Sequence, residues 1–466
     1  MQVTYTKALD WIWSLTDYER RTGYNYAPER FDLARVRALL HQLGDPQQTM
    51  CLAHVAGTKG KGSTSAMMAS AYRAAGLRTG LYTSPHLHTV RERIQVDGAP
   101  ISREAFASAA SAVASAMEGI AGITSFEALT ALALLYFGES KVDVAVMEVG
   151  LGGRLDATNV IAPFVSVITS ISHDHTGILG ETLAAIAGEK AGIMKPGVPV
   201  VSAAQAPEAA EVIRARASQL GCPLESVGSD WRYLPGRAGE AEQEFSLEGP
   251  AWTQGLYDGV YKLPLLGEHQ IENAVLAIAA LAHSPASLGL RPQHVAAGLE
   301  SVKWPGRFEV VRRRPYLVLD GAHNDDSFLR LSQALRRHLS FDRLHLVFGA
   351  SRDKDLNGML AAINQPGLVL YGCRSPHDRA AELSAVAEAA SALGIEYQLF
   401  ASVDEALWSA LEAAREDDCV CVAGSLFVVA AAREALALRY GRVDTVEGES
   451  EVVSVVDDWR LSLVGA

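Results

Sequence analysis

A glycine-rich run near residue 57 constrains this chain more than any other feature. It follows a short apolar segment, leads into a helix-like run, and reads GTKGKGST from residue 57 to residue 64. Glycines let backbone N–H groups approach an anion closely, and the N-terminus of a helix favours negative charge. Lys61 can reach terminal phosphates, while Ser63 and Thr64 can cap the helix or donate to phosphate or metal. The run therefore predicts a cradle for a nucleoside triphosphate.

The spacing of this run differs from that of the common phosphate-binding loop. The common loop has four residues between its first glycine and the Gly-Lys pair. Only Thr58 and Lys59 intervene here, and Gly62 separates Lys61 from the hydroxyl residues. A simple glycine turn at the start of a helix is the competing interpretation. The segments further along the chain must decide between the two.

Composition favours a folded protein of two or three domains. The 466 residues are 49% hydrophobic and 20% charged, with a formal net charge of −13. Such apolar content supplies sizeable cores, and the acidic balance argues against a nucleic-acid partner. The five cysteines are scattered and form no Cys-x-x-Cys pair. No signal-peptide pattern and no apolar run of about 20 residues is present. We therefore expect a cytoplasmic protein with reduced cysteines and without a membrane span.

Strand-like and helix-like runs alternate over the first 300 residues. This alternation predicts a parallel sheet covered by helices on both faces. The expected strands are 50–56, 142–147, 164–171 and 198–202, and the expected helices are 63–75, 104–117, 126–137 and 271–282. The glycine-rich stretch 203–262 is expected to form short antiparallel strands or a wandering excursion.

A Trp-Pro-Gly turn within residues 301–306 predicts a boundary between domains. We place the first domain at residues 1–302 and a second, smaller α/β domain at residues 303–466. The expected strands of the second domain are 317–320, 344–349, 368–372 and 419–424, and its expected helices are 326–338, 380–393, 403–414 and 426–438. The tail 445–458 stays undecided between an edge strand and a loose end.

Polar residues follow three strand-like runs of the first domain. They are Ser84 in TSPHL, Glu148 after an apolar strand, and the run His173-Asp174-His175. An acid at the end of a buried strand beside a phosphate loop suits a Mg²⁺ ligand or a residue that holds water. The competing interpretations are a turn residue for Ser84, a solvated acid for Glu148 and a helix cap for Asp174. Imidazole is also an unusual ligand for Mg²⁺.

Further candidates follow along the chain. Composition alone makes Lys190 and Lys195 surface lysines. Arg307 follows the Trp-Pro-Gly turn, where a guanidinium from a second domain can stabilise a transferring phosphoryl group. A surface arginine is the alternative. Asp320 and His323 lie at the end of the second domain's first strand, and functional groups collect beyond the carboxyl ends of strands in open α/β sheets.

Together, these segments resemble the folylpolyglutamate synthase/dihydrofolate synthase branch of the Mur ligase superfamily. The matching segments, in chain order, are GTKGKGST, TSPHL, TSFE, EVGLGGRLDATN, SHDHTGILG, GEKAGI, HQIENA, WPGRFE, LDGAHN and GSLFVVA. The resemblance implies an α/β protein with a P-loop-containing, doubly wound central ATPase domain and a smaller Rossmann-like α/β domain after it.

The resemblance also implies a reaction, which is the ATP-dependent addition of L-glutamate to dihydropteroate, to reduced folates, or to both. The substrate carboxylate attacks the γ-phosphate and forms an acyl phosphate. The glutamate amine then attacks the acyl carbon, and ADP and phosphate leave. A carboxylate is a poor acyl donor, so the enzyme must activate it, position the reactants and neutralise charge. The implied partners are these small molecules alone, and the implied state is a monomer.

The resemblance assigns roles residue by residue. The catalytic set is Lys61, His323, Lys190 and Arg307, and Lys190 matches a lysine that is carbamylated in the family, which replaces the surface interpretation. The remaining implied roles are ATP contacts by Gly57, Thr58, Lys59, Gly60, Lys61, Gly62, Ser63, Thr64, Asn273, Arg307 and Asp320, Mg²⁺ ligation by Ser84, Glu148 and His175, and substrate contacts by Phe126, Arg154 and Ser425. A monovalent cation is also allowed.

Two positions depart from the family pattern. Asp325 replaces a proline after His323-Asn324, and Lys59 stands where asparagine is frequent. Two other functions stay open at this point. One is a cell-wall Mur ligase that acts on a UDP-muramyl substrate. The other is a P-loop switch that changes partners on nucleotide hydrolysis, although this would leave the Asp320 and His323 cluster without a role.

Overall fold

The computed structural model describes residues 4–16 and 31–440. The undecided tail 445–458 lies outside these ranges. Within them the chain forms two helix-flanked sheets and one small antiparallel sheet. Among the helices described there, we find none with the length and apolar character that a membrane span requires.

The first sheet has eight strands and places the phosphate loop at its centre. Its strands are β1 (Cys51–Ala56), β2 (Thr79–Tyr82), β3 (Ile94–Val96), β4 (Ala99–Pro100), β5 (Val144–Glu148), β6 (Val165–Ile168), β7 (Val200–Ser202) and β8 (Leu224–Ser226). They lie in the order β4-β3-β2-β5-β1-β6-β7-β8. All neighbours are parallel except in the pairs that involve β3 and β4. The central strands β5, β1 and β6 are almost wholly buried, which explains their continuous apolar character.

Helices cover both faces of this sheet, as expected. They are α1 (Tyr5–Ser14), α2 (Leu33–Gln42), α3 (Lys61–Ala74), α4 (Arg103–Ala116), α5 (Ser125–Glu139), α6 (Thr176–Leu179), α7 (Leu183–Ala191), α8 (Pro207–Leu220), α9 (Glu268–Ala282) and α10 (Pro292–Ser301). The helices α3, α9 and α10 share one hydrophobic core, and α1, α4 and α5 share another. The phosphate loop therefore sits at the end of a sheet that packs against helices on both faces.

The stretch 203–262 is only partly what its composition predicts. Its second part forms an antiparallel sheet of β9 (Arg232–Ala238), β10 (Gln243–Glu248) and β11 (Gly259–Leu263). Its first part was predicted wrongly, because it contains the helix α8 and the strand β8, which pairs in parallel with β7. The helix α8 is amphipathic and begins at Pro207, a favourable first helical residue.

The second sheet has six strands and carries the remaining polar candidates. Its strands are β12 (Glu309–Arg313), β13 (Tyr316–Leu319), β14 (Leu344–Phe348), β15 (Leu368–Cys373), β16 (Glu396–Phe400) and β17 (Cys419–Ala423), and its helices are α11 (Asp325–His338), α12 (Leu356–Ile363), α13 (Leu383–Ala392), α14 (Val403–Ala413) and α15 (Leu426–Tyr440). The order is β12-β13-β17-β14-β15-β16, with β12 antiparallel to β13. The chain passes to this sheet between Ser301 and Glu309, where we propose the domain boundary.

The packing of α10 against α3 depends on Gly298. A Cβ atom at this position would lie 2.4 Å from the backbone Cα of Ala71. We therefore expect Gly298→Ala to lower the free energy of unfolding by about 1–3 kcal/mol in urea denaturation. Gly188, within α7, has open space around its Cβ position. Gly188→Ala is the matched control and should raise stability by about 0.5–1 kcal/mol. Equal effects of the two substitutions would contradict this account.

Candidate active site

Residues 57–64 form the turn between β1 and the N-terminus of α3. Gly57 has a φ of 151° and Gly60 a φ of 88°. A Cβ at Gly57 would lie 1.8 Å from Thr169 Oγ1, and one at Gly60 would lie 2.1 Å from Asn273 Oδ1. Both positions therefore require glycine. Because Gly60 has no side chain to cap α3, the first N–H groups of this helix can serve an anion.

The hydroxyl of Thr64 supports the prediction of a ligand at this loop. Thr64 is buried, and in the described structure its Oγ1 has no hydrogen-bond partner. Its backbone N–H is already used, donating to the Gly60 carbonyl at 2.9 Å. A buried hydroxyl without a partner costs free energy, so a phosphate oxygen or a hydrated cation would satisfy it.

Ser84 and Glu148 are brought together at the carboxyl end of the sheet. Glu148 ends β5, which lies between β1 and β2, and its Oε2 accepts a hydrogen bond from the Ser84 N–H at 3.1 Å. Burial raises the pKa of the Glu148 carboxyl to about 7, although the charges of Lys61 and Arg307 oppose this shift. A nearby cation would return Glu148 to its ionised form.

The oxygen-bearing side chains of the phosphate loop and of the strand ends suit Mg²⁺ better than a metal that is held by protein ligands alone. In residues 4–16 and 31–440 no three His, Cys, Asp or Glu side chains form a metal cluster. Ser84, Glu148 and Thr64 offer oxygen atoms, which Mg²⁺ prefers, and Mg²⁺ commonly completes its shell with phosphate oxygens and water. His175 directly precedes α6, and its side chain is 54% exposed. Its role as a ligand stays a prediction.

Lys190 is buried, so the surface interpretation drawn from composition is wrong. Its side chain comes from α7 and is only 4% exposed, and Nζ donates to the Gly57 carbonyl oxygen at 2.8 Å. Burial, reinforced by the charges of Lys61 and Lys59, lowers the pKa of Lys190 to about 7. A large fraction of the amine is therefore neutral at physiological pH. A neutral amine is the form that reacts with carbon dioxide.

Lys195 binds Asn159 through its ammonium group. Its Nζ donates to the backbone carbonyl of Asn159 at 3.1 Å and to Asn159 Oδ1 at 2.6 Å. The Asn159 side chain in turn donates to the carbonyls of Arg154 and Gly192. This network ties the segment after Glu148 to the segment after α7.

The first two strands of the second sheet present Arg307 and Asp320 to the site, since Arg307 lies just before β12 and Asp320 lies just after β13. Asp320 accepts hydrogen bonds from the N–H groups of Phe308 at 2.7 Å and Ala322 at 2.8 Å. Burial raises the pKa of Asp320 and lowers that of Arg307. The Arg307 guanidinium interacts with both Asp320 and Glu148, which belong to different sheets. The two domains therefore share one electrostatic site.

His323 lies directly against the phosphate loop. Its Nε2 is 3.1 Å from Lys59 Nζ, and its Nδ1 is 2.9 Å from the Gly321 carbonyl oxygen. Burial lowers the pKa of His323 to about 3, and the positive charge of Lys59 acts in the same direction. His323 is therefore neutral, with Nδ1 as donor and Nε2 as acceptor.

The replacement of a family proline by Asp325 leaves the turn after His323 intact. Asp325 is the first residue of α11, and Asn324 caps this helix by accepting from the Ser327 N–H at 3.0 Å. Proline is favoured at the first helical position, and an acidic residue there is stabilised by the helix dipole. Both residues suit the same local geometry.

The remaining predicted contacts lie around this centre. Asn273 packs against Gly60, and its Nδ2 donates to Gln270 at 3.1 Å. Ser425 precedes α15, and its Oγ accepts from the Val428 N–H at 3.2 Å. Their roles in binding stay predictions.

Phe126 and Arg154 flank the segment that follows Glu148. A Cβ at Gly150 would lie 2.6 Å from the ring of Phe126. Arg154 is paired with Glu189 at 2.8 Å, and its side chain is 47% exposed. The structure thus places both residues beside one loop, as a shared substrate contact would require, but their roles are untested.

Two charged groups were given no part in the site by sequence reasoning. The Asp174 carboxylate lies 2.8 Å from Lys59 Nζ and 4.0 Å from Lys354 Nζ. Lys354 follows β14, in the run GASRDKD, beyond the carboxyl end of a strand. The rule that indicated Asp320 would therefore have indicated Lys354 as well.

Family models match both halves of the chain. The Mur ligase middle domain matches residues 55–281, and the Mur ligase, glutamate ligase domain matches residues 306–426. The dihydrofolate synthase/folylpolyglutamate synthase of Bacillus subtilis (strain 168) is 37% identical over 374 residues, which cover 77% of this chain and 83% of that protein. A probable bifunctional folylpolyglutamate synthase/dihydropteroate synthase of Halobacterium salinarum is 41% identical, and the match covers 85% of this chain. The chain spans about half of that relative's length (48%).

Solved structures share the architecture. Folylpolyglutamate synthase of Mycobacterium tuberculosis, complexed with ADP and AMPPCP, superimposes with a TM-score of 0.79 at 33% identity and covers 89% of this chain and 96% of its own. Escherichia coli FolC in complex with DHPP and ADP has a TM-score of 0.80 at 32% identity and covers 94% and 98%. The chain belongs to the folylpolyglutamate synthase/dihydrofolate synthase family of Mur ligases.

Proposed function

We propose that this chain is an ATP-dependent ligase that adds L-glutamate to dihydropteroate, to reduced folates, or to both. The observation that carries the proposal is the meeting of two domains at the phosphate loop, where Lys59 Nζ lies 3.1 Å from His323 Nε2. A ligase must bring an activated carboxylate from one site to an amine at another. A nucleotide switch has no use for a second domain that presents Arg307, Asp320 and His323 to its phosphate loop.

The first half of the reaction is the activation of the substrate carboxylate. The N-terminus of α3 and Lys61 hold the phosphates, and Arg307 approaches from the second domain. A carboxylate oxygen attacks the γ-phosphorus, the bond from phosphorus to the bridging oxygen breaks, and ADP leaves. Lys61 and Arg307 neutralise the charge on the transferring group, where fixed positive charges have the largest effect.

The second half of the reaction is the attack by glutamate. The amine nitrogen attacks the acyl carbon, the bond between carbon and the phosphate oxygen breaks, and an amide forms. The amine must lose a proton in this step, and it can pass this proton to His323 Nε2 only after it has displaced the Lys59 N–H that the nitrogen accepts in the structure. The neutral His323 imidazole has an acceptor nitrogen at Nε2, and we assign it this proton. Ser425, after β17, is our candidate for glutamate contact, and Phe126 and Arg154 are our candidates for the pterin substrate.

The donor set described above suits Mg²⁺, which we propose as the metal. Ser84, Glu148 and the Thr64 hydroxyl would hold it, and His175 and a carbamylated Lys190 would support the same site. Bound Mg²⁺ supplies neutralisation of the phosphate charge. We further propose a monomeric protein in the cytoplasm. All five cysteines are free thiols, which suits a reducing compartment.

A parallel assay tests the function directly. The purified protein, ATP and L-glutamate are incubated with dihydropteroate, with tetrahydrofolate or with a UDP-muramyl substrate, and ADP release and product mass are measured. We expect ADP release that requires both glutamate and a pterin, with a product larger by one glutamyl unit. Turnover with the muramyl compound alone would overturn the proposal. Phosphate release without any acceptor would favour the switch.

A further inference from the structure

Lys59 differs from Lys61 in what its side chain contacts. The ammonium of Lys61 stays within the phosphate loop, with Nζ 3.4 Å from the Thr58 carbonyl oxygen. The ammonium of Lys59 leaves the loop and donates to Asp174 Oδ2 at 2.8 Å and to His323 Nε2 at 3.1 Å. Its side chain is only 17% exposed. Lys59 is thus a largely buried bridge between the loop and the second domain.

The contacts of His323 determine what this bridge does. The Gly321 carbonyl oxygen can only accept, so Nδ1 carries the ring proton and Nε2 is unprotonated, with one lone pair. The Lys59 ammonium has three donors and no acceptor, so it selects the same tautomer from the opposite side of the ring. The His323 N–H is held as well, because it donates to Ser327 Oγ at 2.9 Å. Lys59 is the contact that comes from the other domain.

Asp174 holds the Lys59 ammonium in place. One carboxylate oxygen accepts from Lys59, and the other accepts from the His175 N–H at 3.0 Å. Lys354, from the second domain, lies 4.0 Å from the same carboxylate. The Asp174 carboxylate thus pairs with Lys59 from the first domain and with Lys354 from the second. This arrangement fixes the distance between the phosphate loop and His323.

We propose that Lys59 is a positioning residue, whose ammonium donates to His323 Nε2 across the domain interface and holds the imidazole in the tautomer whose Nε2 lone pair the glutamate amine then takes over from Lys59. Its main effect would fall on the glutamate step instead of on ATP binding. The part of this inference that concerns glutamate rests on the proposed function. The part that concerns the imidazole does not, because it describes the protein without substrates.

The tautomer is measured by ¹⁵N NMR of histidine-labelled protein, with the His323 signals identified by their loss in His323→Asn. We expect wild type to show a protonated Nδ1 and a hydrogen-bonded, unprotonated Nε2. Lys59→Met should shift the Nε2 signal, and Lys59→Arg should largely restore it. Lys262→Met, at an exposed lysine of β11, is the control and should leave His323 unchanged. Unaltered His323 signals in a folded Lys59→Met variant would overturn the proposal. Asp174→Asn, which keeps Lys59, should shift the same signal less.

Kinetics provide the second readout. We expect Lys59→Met to lower kcat/KM for glutamate by about ten- to a hundredfold, the effect of one charge-assisted hydrogen bond. The KM for ATP should stay close to wild type. In a His323→Asn background the same substitution should have little further effect, because the bridge has already lost its target. An undiminished effect there, or a raised KM for ATP alone, would make Lys59 a phosphate ligand and refute the role. An inactive wild type with the expected NMR signature would refute only the ligase function.

Discussion

The Lys61→Ala variant is expected to lose ATP-dependent ligation while keeping its fold. Lys61 begins α3, and its charge acts on Glu148, on His175 and on Lys190. Its positive charge therefore acts on three of the groups that we place around the phosphates. Removing one fixed electrostatic contact from a transition state commonly lowers kcat by about a hundred- to a thousandfold. ADP release at saturating glutamate and pterin measures the effect.

Lys262→Ala is the matched control for Lys61→Ala. Lys262 is exposed on β11, in the small antiparallel sheet. Both variants should unfold at the wild-type midpoint in thermal denaturation, which separates a lost contact from a lost fold. Turnover at the wild-type rate in Lys61→Ala would refute the assignment of the phosphate loop.

Lys190→Ala should also lose most activity, because we expect the amine to carry a carbamate. Burial lowers the pKa of Lys190 to about 7. Below that pH the amine is mostly protonated and unreactive toward carbon dioxide, and above it the neutral form dominates. Wild-type activity in bicarbonate-depleted buffer should therefore fall, and added bicarbonate should restore it more completely at pH 8 than at pH 6.

Lys190→Arg distinguishes a carbamate from a simple positive charge. Arginine keeps the charge, but its guanidinium stays protonated and forms no carbamate. We expect this variant to be inactive, and a short carboxylate such as acetate to restore part of the activity of Lys190→Ala. An active Lys190→Arg variant, or full activity of Lys190→Ala without bicarbonate, would contradict the carbamate. Electron density for the modified side chain is the direct observation.

The central strands and the phosphate loop could be predicted because local chemistry determines them. The apolar segments β1, β5 and β6 are buried on both faces, so their sequences show no alternation that could mislead. The helix α8 was missed because the whole stretch 203–262 was interpreted as one glycine-rich unit, although residues 207–220 contain no glycine and place Ala209, Ile213 and Ala217 at helical spacing. The strand β8 pairs with β7 at the edge of the sheet, and this pairing depends on tertiary contacts that the local sequence does not encode.

Lys190 shows where residue-by-residue reasoning from composition fails. A lysine is rarely fully buried, so the residue type alone favoured a surface position for Lys190. Only the resemblance to a family suggested otherwise, and only the packing of α7 beneath the phosphate loop explains why its Nζ reaches the Gly57 carbonyl. The burial of Lys190 is a property of the assembled fold, and no residue pattern in the segment GEKAGI predicts it.

The sequence by itself determined the phosphate loop, its helix and the presence of two α/β sheets. Glycines that must adopt a positive φ, apolar strands and helix caps act within a few residues, so they can be read directly from the chain. The tertiary structure alone decided which charges meet. Lys59 and His323 are separated by 264 residues. Their contact, like the electrostatic interaction of Arg307 with Glu148, depends on the docking of one domain on the other, which no local preference encodes.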